Sequence, residues 1–225
     1  MNTNILETTK NTTTSALEQL DTTLSAFNDE LHRYVTFQDN TLTADALQDA
    51  RESIRDQART AALEQTSRIA GELADLSTTL STEADTHRPH LDPDNVPELT
   101  RTTDAWQNNI LPQLHAGRTW GDILPHITRD EALAIERFAP AWVRANTKMP
   151  SEAESQLNEI NYGVWQRHAD IATTTEGRDT INAATISDEA ASTAASINST
   201  IATVRDSSAL SAARISIINA LANLT

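Results

Sequence analysis

The 225-residue chain contains no cysteine, only five glycines and few of the residues that build a hydrophobic core. Without cysteine it cannot contain a disulfide scaffold, a zinc–thiolate site or a cysteine nucleophile. Leu, Ile, Val and Phe make up 45 of the 225 residues, a fraction near which strongly charged chains are often disordered. Where these residues stand in the sequence therefore matters more than how many there are.

Basic charge and long apolar runs are scarce as well. The chain has 17 Lys and Arg against 32 Asp and Glu, a net charge of −15, so we expect no nucleic-acid partner. The most apolar window, Leu210 to Leu224, includes Arg214 and Asn219 and is 15 residues long, whereas a membrane-spanning helix needs about 20 apolar residues. We expect no membrane span. The first ten residues lack a classical secretion signal, so the expected place of synthesis is the cytoplasm.

Proline and tryptophan are missing from both ends of the chain. All seven prolines lie between residues 89 and 150, and all four tryptophans lie between residues 106 and 165. Because proline breaks helix interiors, this distribution allows long helices in the flanks and predicts short elements in the middle. We predict an all-α fold with an N-terminal helical flank (1–88), a compact helical head (89–165) and a long C-terminal helix (166–225). The flanks are expected to pair as a coiled-coil-like hairpin stalk, with the head inserted between them.

Apolar residues in the N-terminal flank are spaced as on one face of a helix. The spacing alternates between three and four residues, which is typical of a helix, in the seam formed by Leu17, Leu20, Leu24, Phe27, Leu31 and Tyr34. The seam lapses between Thr36 and Thr43, where we expect a kink or loop. A second helix is predicted from about Ala46 to Thr82, with a seam of Leu47, Ile54, Ala61, Ile69, Leu73, Leu76 and Leu80.

The C-terminal segment has little charge and two apolar stripes. One stripe consists of Ile197, Ile201, Val204, Ile215 and Ile218, and the other of Leu210, Ile217, Leu221 and Leu224. A helix so poor in charge is expected to be packed on several sides. The second stripe exceeds what a hairpin within one chain needs, so we expect a homo-oligomer. The residues predicted to take part in protein contacts are Trp120, Ile197, Ile201, Val204, Leu210, Ile217 and Leu221.

The head contains three predicted helix starts and most of the aromatic residues. Asn95, Thr128 and Ser151 each precede a glutamate by three residues, the spacing of a capping box. The tryptophans are expected to form the core of the head. Trp120, next to Gly121, is the expected exception, because an exposed tryptophan in a glycine-containing loop would suit a partner contact.

Two groups of polar residues could carry chemistry. The first group has side chains of the types that bind divalent metal ions: His87, His90, Asp92 and Asp94. Pro89 and Pro93 break helical spacing there and favour a turn, so metal binding stays an open alternative. The second group, His115, Trp120, Asp122 and His126, could support acid–base chemistry. Neither a phosphate loop nor a nucleophile motif accompanies it, so we expect no enzyme and no cofactor.

These patterns favour a non-enzymatic structural or assembly protein that acts through helix–helix contacts and self-association. Within that class, a phage virion or assembly component (scaffold, connector, tail or fibre) is the leading hypothesis. An alternative is a helical-hairpin effector or partner of a secretion system that needs no signal peptide, although the sequence lacks the Trp-x-Gly turn of such proteins. A further alternative is a ligand- or metal-binding helical bundle that uses the histidines of the head.

Overall fold

The structure is a computed structural model that describes residues 4–203 and 207–224. Among these residues there are nine α-helices and no strands, which confirms the all-α prediction. The helices are α1 (Ile5–Thr36), α2 (Ala44–His87), α3 (Val96–Ala105), α4 (Leu111–His115), α5 (Trp120–Ile123), α6 (Arg129–Asn146), α7 (Pro150–Ile171), α8 (Thr175–Thr203) and α9 (Ser207–Ala222). A π-helical turn joins α3 to α4, and a 3₁₀ turn follows α5.

Contacts within the chain define two compact units. Unit 1 consists of Met1–Thr79 together with Ile186–Thr225, and unit 2 consists of Leu80–Thr185. Helices α2 and α8 each contribute residues to both units. In the order of the chain, unit 2 is therefore an insertion in unit 1. The predicted boundaries at residues 88/89 and 165/166, and the stalk itself, stay predictions from composition.

Side-chain hydrogen bonds show how the helices of unit 1 run. Thr66 Oγ1 donates to Asn198 Oδ1 at 2.8 Å, and Ser77 Oγ donates to Asp188 Oδ1 at 3.2 Å. Because the residue number rises along α2 as it falls along α8, these two helices are antiparallel. Thr23 of α1 likewise donates to a side chain of α2 at 3.0 Å. Unit 1 is thus a bundle of α1, α2, α8 and α9.

The core of unit 1 follows the predicted seam of α1. Buried apolar side chains come from all four helices, among them Leu17, Leu20, Leu24, Phe27, Ile69, Leu73, Ala194, Ile197, Ile201, Leu210 and Ile217. The predicted break after Thr36 is confirmed, since α1 ends there and α2 begins at Ala44. Arg51 of α2 holds the connection with two hydrogen bonds, of 2.9 and 2.7 Å, to the carbonyl oxygen of Phe37. In α2 the predicted seam residue Ala61 is exposed, and Ala62 is buried in its place.

Unit 2 contains a second core, built around aromatic side chains from several short helices. Trp106 packs on Phe138 with ring centres 5.6 Å apart, and Trp120 meets Trp142 edge-on at 5.9 Å. Aliphatic side chains of α6 and α7 complete this core, among them Ile135, Val143, Leu157, Ile160 and Val164. Helices α3, α4 and α5 have 10, 5 and 4 residues, as expected for short elements, whereas α6 and α7 have 18 and 22 residues, and α6 continues through Pro140.

The caps of the head helices differ in part from expectation. The box of Thr128 and Glu131 at the start of α6 is confirmed, and Asn95 accepts a hydrogen bond from the Glu98 amide at the start of α3. The Ser151 cap is wrong: α7 begins one residue earlier, at Pro150, without a side-chain cap. Proline suits that first position because it lacks the amide hydrogen that would otherwise need a partner.

Candidate interaction surface

The structure buries the predicted C-terminal contact residues inside unit 1. Ile197, Ile201, Leu210 and Ile217 are at most 3% exposed, and Leu221 packs against the same core. Val204 lies outside the described residues. The second stripe is therefore used within the chain, because Leu210 and Ile217 of α9, and Leu224 just after it, are buried in the core of unit 1. This corrects the expectation that those side chains are free to meet another molecule.

The exposed apolar residues of α9 lie on a different face. Ile215 is 57% exposed and Ile218 is 58% exposed, although their spacing predicts one stripe with Ile197 and Ile201, which are buried. One turn away on either side stand Ser211 and Ala222, which are exposed as well. Steps of four, three and four residues place these four side chains in one line along the helix. We call Ser211, Ile215, Ile218 and Ala222 the α9 stripe.

The α9 stripe lies on a helix that carries a single charged residue, Arg214. The guanidinium of Arg214 donates to both carboxylate oxygens of Asp21 on α1, at 2.6 and 3.1 Å. The hydrogen bond with Asp21 raises the pKa of Arg214 above its ordinary value. The one charge on α9 is thus matched within its own chain, which leaves the stripe beside it uncharged.

Other exposed large hydrophobic residues of the described ranges are at least seven positions apart in the sequence. They are Val35, Leu42, Val96, Met149 and Tyr162. Scattered single apolar residues are normal on protein surfaces, whereas neighbouring ones mark contact sites. Within residues 4–203 and 207–224, Ile215 and Ile218 are the only such pair one helical turn apart. The α9 stripe is therefore the candidate interaction surface.

Trp120, the contact residue predicted in the head, is buried and not exposed. Its side chain is 7% exposed and packs edge-on against Trp142 of α6. The reason is a capping box in which Thr119 and Asp122 bond each other's backbone amides, which closes the one-turn helix α5. The predicted loop around Trp120 is thus a helix that places the indole in the core of unit 2.

The described hydrogen bonds do not join the residues of the predicted acid–base group to one another. Asp122 accepts from the Thr119 amide at 3.0 Å and from the Thr119 hydroxyl at 2.7 Å, and the hydroxyl bond is the main cause of its lowered pKa. Asp122 therefore acts as a cap. The hydrogen bonds described for Asp122 join it to Thr119 and Arg118, and not to His115 or His126. The group thus shows no acid–base pair.

The predicted metal-binding group begins at His87, the last residue of α2, and continues into the turn that follows. His90 Nε2 lies 2.7 Å from the carbonyl oxygen of Asp85, and the Asp92 side chain accepts from the Asp94 amide at 2.9 Å. Among the described residues, no group of three or more His, Asp or Glu side chains is arranged to hold a metal ion. The prediction of a turn in this segment agrees with the structure, which has a turn at Pro93 and Asp94.

A polar cluster that the sequence did not single out lies inside unit 2. His168 of α7 is fully buried, and its Nε2 is 3.1 Å from Glu136 Oε1. Arg88 approaches the same carboxylate oxygen at 3.6 Å, and its guanidinium lies 4.6 Å from the ring centre of Trp165. The cluster joins the chain after α2 to α6 and α7.

Comparisons with known proteins add no relatives. No family model matches the chain, and no curated protein or solved structure is significantly similar to it. Within the part of the chain that the structure describes, none of the helices has the length and apolar character that crossing a bilayer requires.

Proposed function

We propose that the chain is a structural or assembly protein, not an enzyme, and that it acts through helix–helix contacts and self-association. The observation that carries the proposal is the α9 stripe. Its two neighbouring isoleucines are exposed, and none of its four residues is charged, although the chain as a whole is strongly acidic. Water-exposed apolar pairs of this kind favour association, because burying them removes apolar surface from water.

The size of the stripe sets the expected strength of association. Full burial of an isoleucine contributes about 1.5–3 kcal/mol, and somewhat more than half of each side chain remains to be buried. Four isoleucines from two copies therefore contribute about 3–7 kcal/mol, against a cost of association of about 4–15 kcal/mol. Because the isoleucines alone offset that cost only in part, the contact is expected to be weak and to depend on concentration.

A weak contact of this kind is sufficient where many copies are held close together, because tethering raises the effective concentration. For this reason we propose that the chain works in a particle built from many copies. Specifically, we propose a phage virion or virion-assembly component (scaffold, connector, tail or fibre). Mass spectrometry of purified particles from the organism that encodes the chain tests this specific proposal. Presence in stoichiometric amounts supports it, and absence from every particle fraction contradicts it.

Light scattering over a range of concentrations tests self-association. The wild-type mass is expected to rise with concentration, and the double variant Ile215→Ser with Ile218→Ser is expected to remain monomeric. Val35→Ser is the matched control, because Val35 is 66% exposed and lies on α1, outside the α9 stripe. Added salt is expected to leave the association unchanged or strengthen it, since it screens repulsion between chains of charge −15.

Two results contradict the proposal. One is a wild-type chain that remains monomeric at the highest concentration at which it stays in solution. The other is an oligomer that dissociates in salt, which would indicate that ion pairs and not apolar contacts hold it together.

A further inference from the structure

We infer that the occupant of the α9 stripe is the same stripe of a second copy, running antiparallel to it. This inference rests on the proposed function and specifies its interface. A two-fold axis passes between Ile215 and Ile218, so that Ile215 of one copy packs on Ile218 of the other. Ser211 of one copy then faces Ala222 of the other.

The order of side chains along the stripe supports antiparallel pairing. A small residue, two isoleucines and a small residue follow one another at steps of four, three and four residues. This order is the same in both directions along the helix, so an antiparallel copy presents large side chains to large ones and small side chains to small ones. Small residues at both ends of the stripe let two helices approach closely there. A two-fold interface requires such self-complementarity.

The absence of charge on the α9 stripe favours a second copy at this surface. Each chain carries a net charge of −15, so two copies repel each other wherever their acidic faces meet. The α9 stripe contains no charged residue, and the neighbouring Arg214 is paired with Asp21 of its own chain. Two stripes can therefore come into contact without burying an unpaired charge, which would be costly. Antiparallel α9 helices also align their dipoles favourably.

Single-cysteine variants test the pairing, because the chain has no cysteine of its own. Ser211→Cys and Ala222→Cys are made in the full-length chain and oxidised mildly, each alone and as an equal mixture, at a concentration where the wild type associates. Ser216→Cys is the control, because Ser216 is exposed on α9 but lies outside the stripe. Circular dichroism establishes that each variant keeps the wild-type helix content.

The antiparallel pair predicts which variants cross-link. Positions 211 and 222 of different copies are opposite each other, whereas two copies of position 211 are separated by about 16 Å along the helix axis. A disulfide needs Cα atoms about 6 Å apart. We expect the mixture to give several times more disulfide-linked dimer than either variant alone or than Ser211→Cys mixed with Ser216→Cys.

The outcomes separate this inference from the function on which it rests. Equal cross-linking of Ser211→Cys alone overturns the antiparallel arrangement and indicates parallel helices. A wild type that dimerises by sedimentation, while the mixture gives no excess of cross-linked dimer, overturns the stripe as interface but leaves self-association standing. A wild type that is monomeric at every concentration overturns the proposed function and the inference together.

Discussion

Gly163 of α7 stands against the side chain of Leu124, and replacing it with alanine tests the packing of unit 2. A Cβ atom at Gly163 would lie 2.6 Å from Leu124 Cδ1 and 3.3 Å from Leu124 Cβ. Rotation of the leucine can move the first atom but not the second, and Leu124 is only 6% exposed. The leucine must therefore shift together with the 3₁₀ turn that carries it.

The magnitude follows from two opposing effects. Alanine is about 1 kcal/mol better than glycine inside a helix, whereas overpacking a filled core costs about 1–3 kcal/mol. We expect Gly163→Ala to lower the free energy of unfolding by about 1 kcal/mol. Gly71→Ala in α2 is the matched control, because nothing lies within 4 Å of its Cβ position, and it is expected to gain about 1 kcal/mol.

Urea unfolding followed by two signals separates the effect of Gly163→Ala in unit 2 from that of Gly71→Ala in unit 1. All four tryptophans lie in unit 2, so their fluorescence reports the unfolding of unit 2, while circular dichroism reports all helices. The cost of Gly163→Ala is expected to become smaller when Leu124 is also replaced by alanine, because that change removes the Cδ1 and Cγ atoms of Leu124 and leaves only the 3.3 Å approach to its Cβ. A stabilised Gly163→Ala variant, or an equal loss in the Leu124→Ala background, would refute the reasoning.

Three further substitutions test the core, the buried cluster and a cap. Trp120→Ala is expected to lower the free energy of unfolding of unit 2 by about 3–5 kcal/mol, because it empties a core position; a change below 1 kcal/mol in urea unfolding would contradict the burial. Glu136→Ala is expected to lower the free energy of unfolding by about 2 kcal/mol, because it leaves His168 without its hydrogen-bond partner. Glu136→Gln keeps an acceptor and is expected to lower it less. Equal losses of stability in the two variants would argue against the hydrogen bond. Thr119→Val is expected to raise the pKa of Asp122 toward its ordinary 3.8, measured by NMR titration. A carboxyl group whose pKa is lowered by folding adds stability that is lost as the pH falls through that pKa. The wild type should therefore lose more stability than Thr119→Val on acidification below about pH 4. Identical profiles of stability against pH would exclude this contribution.

The long helices could be predicted from the sequence because leucine spacing is a local signal. The seam of α1 needs no knowledge of its neighbours. Part of the core is polar, however: Thr13 and Thr66 are fully buried, and Ser77 is 8% exposed. Thr66 and Ser77 bond to residues of α8 more than a hundred positions away, and an apolar pattern does not show such partners.

The candidate interaction surface, the α9 stripe, could be predicted only to the level of the helix that carries it. Both apolar stripes of the C-terminal segment fit helical spacing, and the choice between them depends on how α9 is rotated against α1. The ion pair of Arg214 with Asp21 and the burial of Leu210 and Ile217 are long-range contacts that accompany this rotation. Ile215 and Ile218 are consequently exposed, whereas the predicted contact residues Leu210 and Ile217 are buried.

Signals for two other features were present in the sequence. Thr119 precedes Asp122 by three residues, which is the spacing of a helix cap, and it indicates the helix that buries Trp120. His168 follows Leu157, Ile160 and Val164 at helical spacing, which places it on a buried face. Its partner Glu136 could not be predicted, because their contact depends on how α6 packs against α7.

Sedimentation equilibrium of the wild-type chain, from micromolar to millimolar concentration, tests self-association through an uncharged apolar surface most directly. The account predicts that the weight-average mass rises from 24.6 kDa toward twice that value, equally or more steeply in high salt. A mass that remains at the monomer value throughout, or a dimer that salt dissociates, would contradict it.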